Sequence, residues 1–162
     1  MKQQRTLVLL FLASIILMFA VTYLRLWSLR VEVGPFFLDH WFSITGAGYI
    51  LLMTLFFSYA KRYSNLHRGR LLTIHVFGNL TAVLLIAMHF AQQISRPAQF
   101  YPDLGTGLVS LLYILLIVPA GFFLRFGVMA KQVGTWRIVH IGVSISLLLL
   151  VAVHALVNFG LL

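Results

Sequence analysis

A chain of 162 residues that is 61% hydrophobic, only 9% charged and +9 in net charge cannot bury all its apolar surface as a soluble domain. The absence of cysteine excludes disulfides, Cys-ligated iron–sulfur clusters and covalently attached c-type haem. The basic residues flank apolar segments, so they read as membrane topology and not as a nucleic-acid surface.

The first apolar segment covers about 6–27 (TLVLLFLASIILMFAVTYLRLW) and follows the basic start Met1-Lys2-Gln3-Gln4-Arg5. Such a start can open a signal peptide. The apolar run exceeds an h-region, however, and no small-x-small cleavage site follows, so an uncleaved helix is expected. The second segment covers about 41–60, and the third, about 71–93, carries His75 and His89. The fourth, about 105–124, contains Pro119 and is expected to kink there. The fifth, about 136–160, carries His140 and His154. Each is near the length that crosses a bilayer. Lipid gives an unpaired backbone group no partner, so each is expected to be a helix. The expected fold is an all-α integral membrane bundle of five transmembrane helices, one domain over 1–162.

Charge orients this bundle. With the N-terminus inside, the inner segments hold Lys2, Arg5, Lys61, Arg62, Arg68, Arg70, Arg125, Lys131 and Arg137. The outer segments hold only Arg25, Arg30 and Arg96, together with all three acids, Glu32, Asp39 and Asp103. Short loops obey the positive-inside rule best, so the expected topology is N-in and C-out.

The members of each histidine pair are fourteen residues apart. That spacing is about 21 Å of helical rise and close to four turns, so both rings leave nearly the same face. In the N-in topology the third and fifth helices run the same way. His75 and His140 then share the inner depth, and His89 and His154 the outer one. Intramembrane histidines are costly and normally have a partner or a task. One reading is hydrogen bonding between helices. Zinc or copper is another, although either metal wants its ligands clustered within a few ångströms. Two stacked b-type haems fit the spacing better, because each porphyrin needs only two axial ligands. Bis-imidazole ligation leaves no open iron position and favours electron transfer.

Other residues fill in around the histidines. Gly78, Gly142, Gly46, Gly48, Gly105 and Gly107 either admit a flat macrocycle or serve ordinary small-residue packing. Arg70, Arg68 and Arg137 on the inner side and Arg96 on the outer are candidate partners for haem propionates. His67 falls in the basic inner loop and reads as solvated. His40, between Asp39 and Trp41, reads either as an interfacial cap beside an aromatic anchor or as half of an Asp–His pair that takes protons from a quinol.

The fifth segment opens Trp136-Arg137-Ile138-Val139-His140, with His154 near its far end. This W-R-x-x-H entry, with H-x13-H at His75 and His89, resembles the ferric reductase-like transmembrane family over roughly 41–160. The family includes ferric reductases, the NADPH oxidase membrane core and the haem subunit of a bacterial methionine sulfoxide reductase. The resemblance implies a six-helix domain with two b haems, each bridging the third and fifth helices. The pair His140 and His154 is one residue wider than is usual there. The four-helix cytochrome b of quinol-oxidising complexes also carries two such pairs on parallel helices.

The expected function is thus a di-haem cytochrome b electron-transfer subunit in a prokaryotic cytoplasmic membrane. His75 and His140 would hold the inner haem, and His89 and His154 the outer. No catalytic residue, flavin site or nicotinamide site is expected in the chain. Electrons would then come from a quinone-type carrier or a redox protein in a hetero-oligomeric complex, with no nucleic acid involved. Alternatives are a quinol-oxidising or quinone-reducing cytochrome b of a respiratory complex, a membrane metal reductase, and a non-redox scaffold or transporter.

Overall fold

The computed structural model describes residues 2–63, 67–97, 99 and 105–158. Among the described residues the protein is all-α, apart from one two-residue ladder, with five helices long and apolar enough to cross a membrane. These are α1 (Lys2–Tyr23), α2 (Leu38–Tyr63), α3 (Arg68–Ile94), α4 (Gly105–Phe126) and α5 (Val133–Asn158). Asp103 and the last two residues expected in the fifth segment, 159 and 160, lie outside the described residues. The chain forms two compact units, Lys2–Pro102 and Asp103–Leu162.

In the first unit α3 packs against both α1 and α2. It accordingly buries Leu71, Leu80, Val83, Met88 and Phe90. The outward faces stay apolar: Ile16 is 71% exposed and Leu52 67%. Surfaces of that kind suit lipid better than water. Gly46 lets α2 approach α3 closely, since a Cβ there would lie 2.8 Å from the Ala82 carbonyl oxygen.

α1 ends four residues earlier than its hydropathy predicts. Arg25 adopts a left-handed backbone, with φ of 57°. Trp27 then folds back, its Nε1 donating to the fully buried Thr22 Oγ1 at 2.8 Å. A small hairpin follows that the sequence reading did not anticipate. Strand β1 (Glu32–Val33) pairs antiparallel with β2 (Phe36–Phe37). Its loop is Gly34-Pro35, where Gly34 has φ of 62°. Proline cannot take positive φ, so of the two primed hairpin turns only II′ suits this pair. Trp41 Nε1 donates to the Val33 carbonyl at 2.8 Å and ties the hairpin to α2.

His67 is the N-cap of α3, its Nδ1 accepting from the Gly69 N–H at 3.2 Å. The residue is exposed, in keeping with its loop position. Ser95 closes the other end of α3: its N–H donates to Ala91 O and its hydroxyl to Gln92 O, each at 3.0 Å.

The second unit is the antiparallel pair α4 and α5, with a short 3-10 turn (Ala130–Gln132) leading into α5. α4 runs unbroken through Pro119. At the connecting end, Trp136 packs edge-on against Phe123, with centroids 4.8 Å apart.

Candidate functional site

In the first unit, α3 carries His75 and His89, both half-buried. Each ring is engaged at Nδ1 by a polar side chain. His75 Nδ1 lies 3.1 Å from Asn79 Nδ2, one turn on along α3. Phe57 of α2 flanks the same ring at a centroid distance of 4.5 Å. Asn79 Oδ1 is buried without a hydrogen-bond partner. Turning the amide over would present that oxygen to an Nδ1–H of His75 at 3.1 Å.

His89 meets a carboxylate. Its Nδ1 lies 3.5 Å from Asp39 Oδ2, and Asp39 is 1% exposed. Gln93 Nε2 donates to the same oxygen at 2.6 Å. The other oxygen, Oδ1, faces His40 Nδ1 at 3.2 Å. Both imidazole contacts are at ion-pair distance and off the line of an ideal hydrogen bond. The His40 and His89 rings meet edge to face, 5.4 Å between centroids. Asp39 lies in the first turn of α2, where the helix dipole favours a negative charge. The adjacent Gln92 also ties down the α1–α2 connection, its Oε1 accepting from the Leu29 N–H at 3.2 Å.

In the second unit the histidines of α5 lie on glycines of α4. A Cβ at Gly121 would lie 3.1 Å from His140 Cε1, and one at Gly107 3.3 Å from His154 Cε1. Any side chain at either position would press on the ring. His140 also hydrogen-bonds to the backbone of Ile117. His154 Nδ1 lies 2.8 Å from Thr106 Oγ1. Asn158 Nδ2 is 3.3 Å from the same nitrogen and donates to the His154 carbonyl at 2.7 Å. Gly107 and Gly121 are themselves fourteen residues apart, so α4 repeats the stride of α5 in reverse.

The other glycines divide. Gly46 serves packing of α2 on α3, and a Cβ at Gly78 would collide with Tyr49. These two are helix-packing residues. Gly48 and Gly142 border open space. Gly121, by contrast, touches a histidine and carries no sequence signal except its distance from Gly107. Gln93 and Thr106 are likewise legible only once the helices are packed.

The cations lie at the helix ends. Arg70 and Arg137 are exposed in the first turns of α3 and α5. Arg96 follows the end of α3 and is half-buried, with Nε buried and no hydrogen-bond partner to it among the described residues. Burial, and then nearby Arg30, lower the Arg96 pKa, while Asp39 opposes them. A guanidinium keeps its charge through such shifts.

A histidine that ligates iron normally donates its other ring N–H to a carboxylate, carbonyl or neutral oxygen, which fixes the tautomer and the ring orientation. Asp39, Asn79 and Thr106 stand at Nδ1 of three of the four rings. Glycines lie beneath the two rings on α5. The residues present, imidazoles with polar partners at Nδ1 of three rings, therefore fit the donor set of b-type haem, while Asn158 Nδ2 also lies 3.4 Å from His154 Nε2. Comparison with protein-family models, curated proteins and solved structures gives no match to this chain.

Proposed function

We propose that the protein is a membrane di-haem cytochrome b, an electron-transfer subunit that carries electrons between the two faces of a prokaryotic cytoplasmic membrane. The observation that carries this reading is the shared stride. Two helices, one in each unit, each present two half-buried histidines fourteen residues apart. Polar partners stand at Nδ1 of three of these rings. One haem takes His75 and His140, and the other His89 and His154. In the N-in, C-out topology supported by the loop charges, the first is the inner haem and the second the outer.

When bound, each haem supplies a one-electron ferric–ferrous couple. His75 with His140, and His89 with His154, would each hold one haem through two imidazoles, a ligand set that favours electron transfer over oxygen chemistry. Asp39, Asn79 and Thr106 orient rings through Nδ1. Gly107 and Gly121 give the rings on α5 room against α4. Arg70 and Arg137 inside, and Arg96 outside, would hold propionates. Electrons would come from a quinol or a redox protein partner. His40 favours a quinol at the outer face, since its partly exposed imidazole, backed at 3.2 Å by the buried Asp39 carboxylate, offers a proton-accepting group.

The test is the pigment. Protein purified in detergent should show a dithionite-reduced b-type spectrum with two haems per chain. A colourless or single-haem preparation from haem-replete cells overturns the reading and leaves the histidines as packing groups or proton relays.

A further inference from the structure

We infer that Asp39 is a positioning residue that holds the ring of His89 and lowers the reduction potential of the iron this ring ligates. The inference rests on the di-haem reading and goes beyond it, because it assigns an electronic difference to the two histidines of α3. Both rings are engaged at Nδ1 but by different chemistry. His75 faces the neutral amide of Asn79 at 3.1 Å. His89 faces a carboxylate at 3.5 Å that is 1% exposed.

The carboxylate is built in. Gln93 Nε2 donates to Oδ2 at 2.6 Å, and His40 Nδ1 lies 3.2 Å from Oδ1. Arg96 adds a favourable charge interaction from beyond the end of α3. Its first-turn position in α2 adds the helix dipole. A carboxylate 3.5 Å from Nδ1 polarises its N–H and makes the imidazole a stronger donor to iron. Its negative charge also sits in a site with little water to screen it. Both effects favour ferric over ferrous iron, so they lower the potential together. A neutral amide at His75 supplies neither.

Redox titration of the purified full chain, followed in the haem absorption bands, tests this with reciprocal variants. The His89→Leu variant identifies which midpoint belongs to the outer haem. In Asp39→Asn the outer haem should titrate at a more positive potential. Its ferrous-to-ferric ratio at fixed poise should rise about tenfold, which for one electron is about 59 mV. The inner haem should not move. In Asn79→Asp the inner haem should shift in the negative direction. Low-spin ferric resonance signals should change only for the haem whose partner was altered. A purely structural Asp39 would not give shifts of opposite sign in the two variants.

Two haems with an unmoved outer midpoint in Asp39→Asn overturn the inference and leave the di-haem reading standing. Wild-type protein without haem overturns both. If Asp39→Asn loses the outer haem, Asn79→Asp decides: an unshifted inner haem overturns the inference.

Discussion

α3 and α5 carry histidines at the same stride, yet their surroundings are made differently. On α3 the rings are held by side chains that carry charge or an amide: Asp39, seated by Gln93, at one end and Asn79 at the other. On α5 both rings lie over glycines, Gly107 and Gly121, and His154 adds the Thr106 hydroxyl and the Asn158 amide, with no carboxylate. The first arrangement can adjust what a ring donates to a metal. The second fixes where the ring stands and adds little charge. The same periodicity thus serves two physical ends, and only the packing distinguishes them.

The sharpest way to break this comparison is to remove the rings themselves. His89→Leu and His154→Leu should each lose one haem of two and keep the other. The surviving haem should show the same midpoint potential and the same low-spin ferric resonance signal in both. Survival of different haems would reject the pairing of α3 with α5. Next in size is Gly121→Val, which places a branched side chain where a Cβ already lies 3.1 Å from His140 Cε1. It should deplete the haem that His75 shares, and haem stoichiometry checks it. Full retention would mean that α4 is not a template for the ring.

Thr106→Val keeps the shape but removes the oxygen 2.8 Å from His154 Nδ1. Partners of ligating histidines are worth about 10–100-fold in metal affinity. Asn158 stands close to the same nitrogen, so the expected loss is at the low end, about tenfold, read as faster transfer of haem to a competing apoprotein. The smallest effect belongs to Gly142→Ala, where a Cβ meets nothing within 4 Å. Its haem content should be unchanged, and thermal stability should stay level or rise by up to about 1 kcal/mol from helix propensity. A loss of haem there would show that open space beside α5 is needed.

The five helices were legible because hydropathy and length suffice to find an apolar helix. Their ends were less so. α1 stops at Tyr23 because Trp27 reaches back to Thr22, a contact that hydropathy cannot register. The hairpin at Glu32–Phe37 has strands too short for any alternation to appear, and only Gly34-Pro35 marks it. The histidine stride could be read, but its partners mostly could not. Asp39 meets Gln93 and His89, and Thr106 meets His154, across long stretches of chain that no helical period relates. Asn79 is the exception in principle, being one turn from His75. Of the two readings open for Gly46 and Gly78, helix packing is the one their contacts fit.

Gly46 has a consequence that reaches past packing. Asp39 is fixed to α2 and His89 to α3, so the gap between acid and imidazole is set by how closely the two helices lie. Gly46, two turns along α2 from Asp39, is where that closeness is set, against the backbone of Ala82. The glycine therefore works as a spacer of zero thickness. A wedge inserted there would stretch the 3.5 Å gap at His89 without touching either residue, so the helix seam gauges the distance across which the carboxylate acts.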